Sequence, residues 1–128
     1  EAQRMGMARV VVTACMLRAR LYLGFGEYRS ARQDLMTALT LSTSNGLNIK
    51  RASALIDMAA LVGALDAELR NEARDIARSA RFDAERMGYK LAAARAKDLE
   101  LVFREQGSIE DWLFRLGAEA GSSREEGG

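Results

Sequence analysis

Apolar residues recur at helical spacing through almost the whole chain. Between positions 28 and 42, Tyr28, Ala31, Leu35, Ala38, Leu39 and Leu41 fall near one face, while Arg29, Arg32, Gln33 and Asp34 take the remainder. After Leu69 a stripe of small residues follows, Ala73, Ile76, Ala77, Ala80 and Ala84, flanked by Arg70, Arg74, Arg78, Arg81 and Glu85. An alanine stripe lets a second helix come close, because its side chains fill little of the gap. Breakers are few: Gly24-Phe25-Gly26, Ser44-Asn45-Gly46, Gly88 and Gly107. They divide the chain into six predicted helices over about 3–23, 28–42, 47–65, 69–87, 89–106 and 109–116. Asn45-Gly46 suits a left-handed helix end, and Ser108 with Asp111 three residues on resembles a capping box. Only Val10-Val11-Val12-Thr13 argues for a strand. It is short, lies among helix formers and has no second strand to pair with, so it is read as helix.

Composition narrows the class further. The chain has 128 residues, 48% of them hydrophobic but only 6% aromatic, and no proline. That balance favours close helix–helix packing in one modest domain or a piece of a larger protein. Glu1-Ala2-Gln3 opens without methionine, as expected of an excised piece. Residues 118–128 continue no clear apolar period and are expected to form a disordered tail or linker after a domain of residues 1–117. The net charge of +1 makes no case for nucleic acid or a membrane surface. No apolar run nears the roughly 18 residues that span a bilayer, and no signal-peptide pattern is present, so the expected location is the cytoplasm.

Catalytic chemistry has little to work with. Histidine is absent, which removes Ser–His and Cys–His arrangements within this chain. Cys15, between Ala14 and Met16, reads as a buried structural thiol. Glu68, Glu72 and Asp75 are interleaved with Arg70, Arg74 and Arg78 and read as a solvated helix face rather than a metal site. Gly24-Phe25-Gly26 follows a helix and reads as a turn, not a nucleotide loop. The six methionines read as core fillers, with Met16 the one suited to an adaptable binding groove. No enzyme activity, cofactor or metal is expected.

The charge is unevenly spread. Residues 1–51 carry eight Lys/Arg against three Asp/Glu, and the rest carry the opposite excess. Arg18, Arg20, Arg29 and Arg32 are the candidates for a nucleic-acid contact, but no aromatic residues are interleaved and no nucleic-acid motif is present. A scaffold whose ends meet oppositely charged neighbours explains the asymmetry at least as well.

The segment 17–41 carries an order of residue types with a family likeness. Ala19, Leu21-Tyr22, Gly26, Tyr28, Ala31, Leu35 and Ala38-Leu39 resemble the tetratricopeptide repeat, a pair of antiparallel helices. Ala59-Ala60 with Ala73, Ala77 and Ala80 resembles the small-residue half of a second unit. Leu99, Phe103, Gly107 and Trp112 resemble a third, with Trp112 where alanine is usual. That departure suggests an edge or a surface meeting another domain. The interval is about 40 residues against the usual 34, similar to the long repeats in C-terminal arrays of bacterial signalling regulators. The alternative is a free-standing six-helix bundle with an accidental repeat.

The resemblance implies an all-α fold of antiparallel helix pairs stacked as a short right-handed superhelix, with the first helix of each pair lining a concave groove. On it, Thr13, Met16, Arg20 and Leu23 face the groove from the first unit. Asp57, Leu61 and Ala64 follow from the second, then Lys97, Leu101 and Arg104 from the third. Arg20, Lys97 and Arg104 are placed to grip a carboxylate of a protein or peptide. The implied function is a non-enzymatic protein-interaction or sensor module in a larger bacterial regulator. The alternative is a structural scaffold that self-associates, as a homodimer, through exposed repeat ends.

Overall fold

The computed structural model describes the main chain of residues 2–127 and the side chains of residues 4–122. Among the described residues the chain forms six α-helices: α1 (Ala2–Gly24), α2 (Tyr28–Ser44), α3 (Asn48–Leu65), α4 (Arg70–Arg86), α5 (Lys90–Arg104) and α6 (Ile109–Gly127). A single 3-10 turn, Ala67–Leu69, leads from α3 into α4. The fold is all-α, and the valine run lies inside α1, where Val12 is fully buried. Among the described residues no helix is long and apolar enough to cross a membrane.

Four of the five junctions close by one device. Gly26, Gly46 and Gly88 adopt φ of 78°, 67° and 72°, a left-handed conformation that costs glycine nothing because it has no Cβ. The next amide then reaches back five residues: Glu27 N–H to the Tyr22 carbonyl, Leu47 to Ser42 and Tyr89 to Ala84, each at 2.8 Å. At the fourth junction the left-handed residue is Gln106, at φ 55°, and Gly107 N–H closes on the Val102 carbonyl at 2.8 Å. The break therefore falls one residue earlier than Gly107 predicts. At the α3–α4 junction an Asp66 carboxylate oxygen accepts from Glu68 N–H at 2.9 Å. Ser108 Oγ accepts from Asp111 N–H at 3.1 Å and starts α6, as the spacing predicts.

The interior follows the small-residue stripes. Ala19, Ala31, Leu35 and Ala38 are wholly buried, and Ala73, Ala77, Ala80 and Ala84 present α4 to its neighbours as a smooth face. Gly63 of α3 makes room for a ring of α5: a Cβ there would lie 2.4 Å from the Phe103 side chain. Most methionines contribute little to this core. Met5, Met7, Met36 and Met87 are exposed, and only Met16 is fully enclosed, among Val12, Ala38, Leu47 and Ala54. Cys15 is half-buried rather than buried.

The path of α6 departs furthest from the sequence expectation. Helices α1 to α5 pack in sequential pairs, but α6 leaves α5 and lies mainly against α1. It meets α1, α3 and α5 and packs on neither α2 nor α4, so it crosses the face made by the odd-numbered helices. Ile109, Trp112, Leu113, Leu116 and Ala120 are buried along it. Each large apolar side chain so buried contributes roughly 1.5–3 kcal/mol before the entropy of ordering the helix is subtracted. Trp112 therefore belongs to the core and not to an edge.

Residues 118–128, expected as a structureless tail, are helical to Gly127, and residue 128 lies outside the described residues. Ala120 of that stretch is buried, and Gly117, just before it, meets α1. Gly117 crosses Gly24 so closely that a Cβ on Gly117 would sit 2.7 Å from the Gly24 Cα.

Candidate functional site

The residues expected to line one groove divide between the core and the surface. Met16, Leu23 and Leu61 are buried, and Asp57 is wholly inaccessible. Arg20 points inward as well: its Nε donates to Asp57 Oδ2 at 2.8 Å, tying α1 to α3. The Asp57 charge, against the opposing cost of burial, raises the Arg20 guanidinium above its ordinary value, with Tyr89 and Glu119 adding to the effect. Ala64 is half-buried and Thr13 exposed. The expectation that α1 and α3 offer an open recognition face is thus corrected: α6 lies on that face, and the apolar side chains assigned to it complete the core.

Lys97, Leu101 and Arg104 do come together, in a different groove. Successive helical residues turn by about 100°, so neighbours in sequence serve different faces. Ala92, Ala96, Leu99 and Phe103 take α5 into the core. Arg95 and Asp98 border a crevice with Trp112, Arg115 and Glu119 of α6, and Arg95 Nη2 lies 3.3 Å from Glu119 Oε2. Lys97, Leu101 and Arg104 fall on the α4 side, where they line a groove of about 470 Å³ with Arg74, Arg78, Arg81 and Glu100.

Five cations and one carboxylate therefore border this groove. Glu100 is already engaged. It accepts from Arg81 Nε at 2.5 Å and from Arg78 Nε at 3.4 Å, and its hydrogen bond holds Arg81 above the ordinary arginine value. Arg81 also reaches Glu85 at 3.0 Å and stacks its guanidinium over Phe82 at 4.8 Å. Arg74, Lys97 and Arg104 have no ion-pair partner among the described residues, and Arg74 Nε is a buried donor without an acceptor. One helical turn before Arg74, Arg70 stands over the Phe103 ring at 6.0 Å, its own Nε likewise unsatisfied. Buried donors are normally paired, so the unpaired Arg74 Nε in a groove of five cations and one carboxylate leaves hydrogen-bonding capacity for an anion.

The signal for this site was present in the arginine row of α4, which sequence reading assigned to a solvated face. Positions 70, 74, 78 and 81 share one side of a helix. What sequence could not show was that Lys97 and Arg104 stand opposite. The arginines considered for nucleic acid do not converge in this way. Arg18 makes a two-pronged pair with Asp34, at 2.8 and 2.7 Å, and Arg20 is committed to Asp57, while Arg29 and Arg32 are simply exposed.

The remaining perturbed groups bear on stability. Burial, reinforced by the Asp34 charge, pushes the Cys15 thiol up from its ordinary value. Burial followed by Glu110 does the same for the Tyr28 phenol. Both groups hold their protons more tightly in the folded state than in the unfolded chain. Their contribution is complete below the unfolded values and is lost as pH rises through the folded ones. Histidine, the side chain whose ordinary value lies between about pH 6 and 8, is absent from the chain. Thermal melts are expected to give a flat Tm over that range and a decline above about pH 9. A step in Tm near pH 7 would contradict this assignment.

No family model, curated protein or solved structure compared with this chain matches it. The functional reading therefore rests on the geometry above.

Proposed function

We propose that this chain is a non-enzymatic protein-interaction module, a tetratricopeptide-like set of helix pairs that binds an acidic segment of a partner protein along the α4–α5 groove. The observation that carries this reading is the convergence of Arg74, Arg78, Arg81, Lys97 and Arg104 on one groove with Glu100 as the sole carboxylate in its lining. An extended chain with spaced Asp or Glu residues matches two facing rows of cations, and Arg supplies the forked donors that carboxylates accept best. The exposed Leu101 between Lys97 and Arg104 adds an apolar contact at the centre. Such a module would serve within a larger regulator, of the bacterial signalling type that the long repeat interval resembles.

A second reading, a scaffold that self-associates, is favoured by one feature. Met7, Val10 and Val11 form an exposed apolar stripe on α1, and Met36 of α2 is exposed as well. Contiguous apolar surface of this kind marks protein contacts.

The test of the first reading is fluorescence anisotropy with a fluorescein-labelled glutamate-rich peptide at low and moderate salt. Lys97 and Arg104 are exposed, so Lys97→Glu/Arg104→Glu is expected to leave the circular dichroism spectrum unchanged. That variant is expected to bind at least about tenfold more weakly, and wild-type binding is expected to weaken with salt. Equal binding by both proteins, or none by the wild type at low salt, would remove the groove as the recognition site.

A further inference from the structure

The face formed by α1, α3 and α5 is built to receive a helix, and in the monomer that helix is the chain's own α6. Three observations describe how the seat and its occupant are joined. First, α6 packs least on α5, the helix it follows in sequence, and most on α1. Second, the connection between Arg104 and Ile109 is only residues 105–108, and it turns back through Gln106 at φ 55°. A side chain in that left-handed region costs roughly tenfold in equilibrium terms relative to an unstrained backbone. Third, the fit is specific to one sequence. The crossing admits only glycine on both helices, since a Cβ on Gly24 would lie 2.9 Å from the Gly117 Cα, and Trp112, Leu113 and Leu116 fill the space beside it.

We propose that α6 is exchanged between two copies of this chain, each copy's odd-helix face taking the other's α6 in a reciprocal dimer. Every contact of α6 in the monomer is then remade in trans, which is why exchange of an identical element is a low-cost route to a dimer. The difference lies in the hinge. When α6 docks on a second copy, residues 105–108 no longer turn back, and Gln106 is released from its left-handed conformation. A short, strained hinge therefore favours exchange, and a longer or relaxed one favours the monomer. The second copy is the natural occupant because α6 carries the glycine that this crossing demands. The proposal is independent of the α4–α5 groove, whose lining residues make no hydrogen bond or ion pair to α6 among the described residues.

The test uses the full chain with Cys15→Ser and a new thiol pair, Arg95→Cys/Glu119→Cys, at the contact between α5 and α6. The concentrated protein is separated by size-exclusion chromatography, and each fraction is treated with a short bis-maleimide and run on a denaturing gel. The dimer fraction is expected to yield covalent dimers, and the monomer fraction only internally linked single chains. A dimer fraction that gives only single chains is joined by some other surface and overturns the proposal, as does the absence of any dimer at millimolar concentration. The hinge gives a second reading that leaves the helices intact. Gln106→Gly removes the strain and is expected to shift the equilibrium about tenfold towards monomer. An unchanged equilibrium in that variant would also count against exchange.

Discussion

Asp57→Ala is expected to destabilise the protein by about 3 kcal/mol, the low end of the range for breaking one side of a buried ion pair. Asp57 is wholly inaccessible, and its Oδ2 is the hydrogen-bond acceptor that the Arg20 Nε reaches at 2.8 Å. Removing the carboxylate leaves a guanidinium in the interior with its main counter-charge gone. The cost stays at the low end because 17% of the Arg20 side chain still meets solvent, and because Glu119 and Tyr89 act on it too. For a domain of this size the loss corresponds to a fall in Tm of roughly 10–15 °C. Replacing both partners with apolar residues of similar volume, Arg20→Met/Asp57→Leu, is expected to cost less than the single change. The pair contributes little net energy once its desolvation is counted, and Asp57 Oδ1 is without a partner even in the wild type. Chemical denaturation of the two single variants and the double closes the cycle. A loss below about 1 kcal/mol for Asp57→Ala would show that the pair is not buried as described. The same geometry means that charge reversal at Arg20 reports on folding and says nothing about a ligand.

Gly117→Val is expected to cost about 3 kcal/mol, while Gly121→Ala, four residues along the same helix, raises stability by up to about 1 kcal/mol. Both changes add atoms to a glycine of α6, so helix propensity alone would not make valine so harmful. The difference comes from the surroundings. A Cβ at 117 meets the Gly24 Cα at 2.7 Å and the Arg20 carbonyl oxygen at 3.0 Å, and main-chain atoms of a packed helix have no rotamer through which to yield. A Cβ at 121 meets nothing within 4 Å, so alanine there gains the ordinary advantage over glycine in a helix. Thermal melts give the two signs, and hydrogen exchange locates the effect. In Gly117→Val the amides of α6 lose protection before those of α3 and α4. If both variants melted like the wild type, α6 would not be seated on α1.

These two experiments bear on the parts of the fold that were least visible in the chain. The helices themselves were legible because their causes are local. The alanine stripe of α4, the face of α2 and the turns at Gly26, Gly46 and Gly88 depend on neighbours within a few residues, and periodicity and glycine placement report such neighbours directly. One local feature misled: Gly107 looked like the breaker, but Gln106 takes the left-handed place because the closing bond from Gly107 N–H to the Val102 carbonyl sets the register of the turn.

Residues 118–128 misled more seriously, since their small and polar side chains read like a linker. Ala120 is nonetheless buried, and composition alone does not distinguish a small residue that packs from one in a flexible segment.

The candidate site was half legible. Lys97, Leu101 and Arg104 share one face of α5 on spacing alone, and Arg70, Arg74, Arg78 and Arg81 share one face of α4. Sequence therefore determined the helices, most of their ends, the small-residue faces and the two basic rows, because each arises within one segment of chain. Tertiary structure alone decided that those rows face each other, that Arg20 and Asp57 are spent on each other inside the core, and that α6 lies across the face expected to be open. Each of these depends on the rotation of one helix against another, where a single residue of register is worth about 100° and no signal within either helix records it.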